Sequence, residues 1–139
     1  MDQTMAMLRE AADQGHMGAQ AYCGEMYTFG WGVAKDERLA FVYGEWAAQQ
    51  GDPGSEYNIG VCYRDGRGCE QSSERAAEWF AKAAVQGHAP AMHNLGYLYL
   101  NGQGIPQSDK RAVKLFRQST AKGDAYGQYY LAVSRTSLM

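Results

Sequence analysis

Long apolar runs, basic clusters and catalytic signatures are all missing from this 139-residue chain. No apolar stretch approaches the ~20 residues that span a bilayer, so no membrane partner is expected. The opening MDQTMAMLREAADQG places Asp2 early and lacks the basic-then-apolar order of a secretion signal. If Met1 is the native start, the expected location is cytoplasmic. Thirteen basic residues face fifteen acidic ones, a net charge of −2. Without a Lys/Arg stripe for a phosphate backbone, nucleic acid is not an expected partner. Cysteine is scarce and odd in number: Cys23, Cys62 and Cys69 show no metal-ligand spacing. That usage fits buried thiols in a reducing compartment better than a disulfide framework. Neither a metal nor another cofactor is expected. Only three histidines occur, and no Gly-x-Ser-x-Gly is present, so the chain does not read as an enzyme.

Glycine, by contrast, is plentiful and periodic. Gly24, Gly60 and Gly96 are 36 residues apart, as are Gly15, Gly51, Gly87 and Gly123. The pairs Gly30/Gly32, Gly66/Gly68 and Gly102/Gly104 keep the same step, and so do Tyr27, Tyr63 and Tyr99. A fixed period of this length marks a repeat array. The boundaries read as a half-unit 1–17, repeats 18–53, 54–89 and 90–125, and a terminal half-unit 126–139.

Each unit divides into two helical halves, giving about eight helices in all. In the first half of the third unit, Ala91, Leu95, Leu98 and Tyr99 form an amphipathic stripe. A mid-helix glycine (24, 60, 96) costs ~1 kcal/mol relative to alanine, and its recurrence implies close helix–helix approach. The second halves carry Tyr43, Trp79 and Leu115 in one bulky column. Gly51, Gly87 and Gly123 suit the left-handed position that closes a helix. His16, Asp52, His88 and Asp124 then start the next helix, and Asp36, Ser72 and Ser108 cap the second helix of each unit. Gly102-Gln103-Gly104 follows no strand, so it reads as a turn between helices and not as a phosphate loop.

The units NIGVCYRDGRGC–ERAAEWFAKAAVQGH and NLGYLYLNGQGI–KRAVKLFRQSTAKGD resemble the Sel-1-like repeat family, α/α repeats related to tetratricopeptide repeats. The resemblance implies an all-α solenoid, a right-handed superhelix of helical hairpins, acting as a non-enzymatic protein- or peptide-binding adaptor. A cysteine-rich subgroup of that family bridges each repeat by a disulfide. The corresponding columns here hold Ala48/Glu56 and Ala84/Met92, so that framework is not carried over. Cys62 and Cys69 read as packed thiols, with a bond between them left open.

In related repeats the first helix lines the concave surface. Outside the core columns it presents Ala21/Glu25/Thr28, Tyr57/Val61/Arg64, His93/Tyr97/Leu100 and Tyr129/Val133/Thr136. Exposed aromatics of this kind mark binding surfaces, whereas the same residues could instead pack between units. Similarity to tetratricopeptide scaffolds implies that Asn58 and Asn94 hold a ligand's backbone, or else bond to a neighbouring helix. The expected binding set is therefore Tyr57, Asn58, Val61, Arg64, His93, Asn94, Tyr97, Leu100 and Tyr129, with Arg64 attracting a carboxylate. His93 has no acidic or cysteine partner at ligand spacing along the chain. A hydrolase or small-molecule binder using it and the nearby tyrosines is the remote reading. The first alternative to an adaptor, ahead of that one, is a self-associating structural segment of a larger solenoid. Residues 2–14 and 126–138 lack their repeat partners. Arg135 replaces the recurring tyrosine as a cap would, whereas Met5, Met7 and Leu8 keep the first helix apolar. A homodimer through the terminal helices, or lost upstream repeats, is the expectation for that end.

Overall fold

The computed structural model describes residues 2–138, with side chains through 135, so the Thr136 side chain lies outside the described residues. Eight α-helices follow one another: α1 (Gln3–Asp13), α2 (Met17–Phe29), α3 (Glu37–Gln49), α4 (Pro53–Asp65), α5 (Ser73–Val85), α6 (Ala89–Asn101), α7 (Asp109–Ala121) and α8 (Ala125–Leu138). The fold is all-α, a succession of helical hairpins, and no helix among the described residues is long and apolar enough to cross a membrane. Contacts divide the chain into two compact units, Met1–Gln71 and Ser72–Met139. In the first, α2 packs on α1 and α3, and α3 on α4; in the second, α6 packs on α5 and α7, and α8 on α6 and α7.

Capping follows the sequence closely. Asp36, Ser72 and Ser108 accept hydrogen bonds from the amides of Leu39, Arg75 and Arg111. Asp52 serves Ser55 N, and His16 Nδ1 serves Ala19 N, whereas His88 makes no side-chain cap bond. Each such bond satisfies one amide that the first helical turn leaves open.

The mid-helix glycines bring helices together as expected. A Cβ on Gly24 would lie 3.3 Å from the Gly44 backbone of α3. On Gly96 it would meet the Phe116 ring of α7 at 2.6 Å. Phe80 and Phe116 are fully buried, one residue beyond the bulky column that the sequence suggested. Trp79 and Leu115 of that column are only half-buried, although Tyr43 is buried. The phenylalanine column is hidden in the sequence because the first unit fills it with Gly44. There Ile59 of α4 occupies the vacated volume, its Cδ1 standing 3.2 Å from where a Gly44 Cβ would be.

Both glycines of each Gly-x-Gly turn have positive φ. The second also lies against the start of the preceding hairpin's second helix. A Cβ on Gly68 would clash with the Glu37 carbonyl, and one on Gly104 with the Ser73 carbonyl. At Gly32 the corresponding neighbour is the flexible end of Met5. Leu8 packs against the core cluster of Ala12, Ala19, Cys23, Tyr27 and Tyr43. Of the three apolar α1 residues, Met7 is the one that stands well exposed.

These surroundings separate two glycines of similar φ, 72° at Gly104 and 84° at Gly123. No atom would meet a Cβ on Gly123 within 4 Å. Gly123→Ala should therefore cost about 1 kcal/mol of left-handed strain. Gly104→Ala should cost about 3 kcal/mol or more, because backbone has to move. Urea unfolding of the two variants measures the difference.

Candidate functional site

In the first unit, α2 and α4 lie side by side over α3 and leave a cleft of ≈ 360 Å³. Glu25, Thr28 and Phe29 of α2 form one wall, and Tyr57, Asn58, Val61 and Cys62 of α4 the other. Glu37 and Ala40 of α3, with Arg67 of the following turn, complete it. The i, i+4 spacing that puts Tyr57 and Val61 on one face of α4 also aims them into this space. Asn58 is exposed, while Tyr57 and Val61 are half-buried. Arg64, half-buried and expected here too, does not line the cleft. Its guanidinium forks onto Asp65, Nε–Oδ1 3.0 Å and Nη2–Oδ2 3.1 Å. Those hydrogen bonds hold the Asp65 carboxyl below its ordinary value. The carboxylate expected from a ligand is supplied by the next residue.

Beside the cleft the sequence reading overlooked an aromatic surface. Phe29 stacks on Trp31 with centroids 5.1 Å apart, and Tyr22 lies 5.9 Å from Trp31. All three are substantially exposed. The available signal was Trp31 itself, an aromatic between turn glycines where the other units have Arg67 and Gln103.

In the second unit the expected residues part company. Tyr97 and Tyr129 are exposed, each packed on Tyr130 at 5.5 and 5.3 Å between centroids, and Leu100 is half-buried. His93 and Asn94 turn inward. His93 Nδ1 stands 2.5 Å from Asp124 Oδ2, a partner 31 residues away that chain spacing does not reveal. Asn94, only 9% exposed, directs Nδ2 to the Pro90 carbonyl at 2.8 Å and to His93 Nε2 at 3.2 Å. With Nε2 accepting from the amide, Nδ1 is the protonated nitrogen and donates to Asp124. Ser119, fully buried, donates to the same Asp124 oxygen at 2.6 Å. The serine points to the acid and away from the histidine, so this trio is a structural knot tying α6, α7 and the start of α8. It is not a nucleophile–base pair. Asn94 is thereby engaged within its own helix.

The second unit also carries a basic cluster: Lys110, Arg111, Lys114 and Arg117 line one broad groove along α7. Asp109 shares that groove, its Oδ1 accepting from Gln107 Nε2 at 2.7 Å.

Cys23 is buried and Cys62 and Cys69 are half-buried, and no disulfide joins them. Burial, with Cys69 nearby as the second cause, pushes the Cys62 thiol up to about 11. Burial also raises Cys23. At pH 8 Cys62 is therefore held overwhelmingly as the thiol. A chromogenic disulfide reagent at that pH should modify neither Cys23 nor Cys62 readily in the native protein, and should find three thiols after denaturation. Oxidised and reduced samples that melt differently would contradict packed thiols.

Asp124 generates a pH dependence. Burial alone would raise its carboxyl, but hydrogen bonds from Ser119 and His93 outweigh it and hold the group below its ordinary value. Stability from such a group is complete above the unfolded value and is lost as pH falls through the folded one. The melting temperature should fall as pH drops below about 4. Asp124→Asn should lose about 2 kcal/mol at pH 7 and show a shallower acid decline.

A Sel1 repeat family model matches residues 2–16, 18–52, 53–88 and 89–124. Among solved structures, a protective antigen of uropathogenic Escherichia coli strains is similar at 34% identity and a TM-score of 0.84, over 89% of this chain and 27% of that one. The chain thus spans about a quarter of that protein. A Sel1 repeat protein from Oxalobacter formigenes is similar at 26% identity and a TM-score of 0.83, over 94% and 98% of the two chains. Cysteine-rich protein B of Helicobacter pylori shares the fold, with 22% identity and a TM-score of 0.69 over 91% and 96%. No curated protein sequence matches the chain significantly. On the family match and these helical-repeat neighbours, the chain belongs to the Sel1 repeat family, whose members are in general non-catalytic scaffolds for protein interaction.

Proposed function

We propose that the protein is a peptide-binding adaptor whose primary groove is the cleft between α2 and α4. The observation carrying this reading is that the outward faces of two successive first helices, Glu25/Thr28 and Tyr57/Val61, open onto one cavity. Tyrosine and valine offer apolar contact at low entropic cost, and the exposed Asn58 carboxamide can pair with a ligand's main chain. The exposed Phe29–Trp31 stack extends the apolar surface beyond the cleft mouth. In the second unit Tyr97 and Tyr129 offer further contact. Pairing of copies through α1 is the weaker reading, because Leu8 packs inward and Met5 lies against Gly32.

The test is affinity capture from the source cell with the intact chain, followed by quantitative binding of the partner to variants. Tyr57→Ala and Val61→Asp should each weaken binding by about 2 kcal/mol or more, as for a central anchor. Asn58→Ala, at an exposed position, should weaken binding without changing the melting temperature. Undiminished affinity in well-folded Val61→Asp would remove the cleft from the binding surface.

A further inference from the structure

The geometry points to a selective cleft: the partner segment held between α2 and α4 presents an arginine or lysine side chain to Glu25 and Glu37. This deepens the adaptor reading and rests on it. Three charged residues line the cleft, namely Glu25, Glu37 and Arg67. Arg67 is drawn toward Asp65, Nη2–Oδ2 3.9 Å, with its side chain largely exposed. No ion pair among the described residues involves Glu25 or Glu37. Two carboxylates therefore meet whatever enters, with no cation already committed to them.

The rest of the first unit reinforces that field. Residues 1–71 contain five Lys and Arg against eleven Asp and Glu, whereas residues 72–139 contain eight against four. The overall charge of −2 conceals this partition. The net negative charge of this unit draws cations toward it and repels acidic segments.

The walls suit a long cationic side chain. Phe29, Tyr57 and Val61 provide apolar surface on which an arginine or lysine stem can lie while its charged end reaches a carboxylate. Aromatic faces also attract a cation directly. An aliphatic or acidic segment would strip water from Glu25 and Glu37 and give nothing in return. At ≈ 360 Å³ the cavity is at the small end of ligand sites, of a size for one side chain and its flanking backbone.

A random dodecapeptide phage library panned on the immobilised full chain provides the test. Enriched sequences should carry arginine or lysine, and the synthetic peptides should bind more weakly as salt rises. Affinity should fall about tenfold or more in the Glu25→Gln/Glu37→Gln variant, which should melt with the parent. Unchanged affinity in that variant overturns the inference. Enriched peptides that lack basic residues but lose binding in Val61→Asp also overturn it, and leave the groove standing. If no enriched peptide is sensitive to Val61→Asp, the charge selectivity and the groove fall together.

Discussion

The turns after α4 and α6 have to lie flat on the start of the preceding second helix, and a side chain at their second glycines would prevent this. At Gly68 and Gly104 the opposing atoms are backbone, which cannot rotate aside as a side chain can. That contact sets where α4 lies against α3 and where α6 lies against α5. The neighbouring constraint, small residues at Gly24 and Gly96, then fixes how near α2 comes to α3 and α6 to α7. The first constraint joins hairpin to hairpin, and the second closes the α2–α3 and α6–α7 hairpins. Large side chains fill the space these contacts leave, with Phe116 against Gly96 and Ile59 where Gly44 has no side chain.

With the backbone placed this way, outward positions of the first helices can differ from unit to unit. In α4 they remain open, and Tyr57, Asn58 and Val61 border a cleft. In α6 the equivalent His93 and Asn94 are absorbed into a network with Ser119 and Asp124. The difference follows from what stands opposite. Ser119 replaces the alanine of the other units (Ala47, Ala83) and supplies a hydroxyl to the half-buried Asp124 carboxylate. His93 satisfies the same oxygen, and the order this imposes at the start of α8 is structural.

Much of the fold was legible because a period of 36 residues lets each column be read several times. Caps, turn glycines and the eight helices all gain from that redundancy. The site was less legible because binding residues belong to the columns that vary, where repetition gives no help. His93 and Asp124 meet only after α7 folds back, so nothing along the chain joins them. Arg64 shows the reverse: its partner is the adjacent Asp65, a local ion pair that its place on the outward face does not announce. Phe80 and Phe116 were missed because Gly44 breaks their column, and the α7 cations because apolar residues interrupt them in KRAVKLFRQ.

The backbone contact beneath the turns at Gly68 and Gly104 bears on how such a chain can diversify. An interface made from two side chains needs paired changes to stay intact, so drift on either side is constrained. Here one side is a glycine without a side chain and the other a peptide carbonyl that every amino acid carries. The residue between the glycines is therefore free to vary, as Arg67 and Gln103 do. Joining of units is separated from the chemistry that the units display, and one scaffold can acquire new surfaces without renegotiating its own assembly.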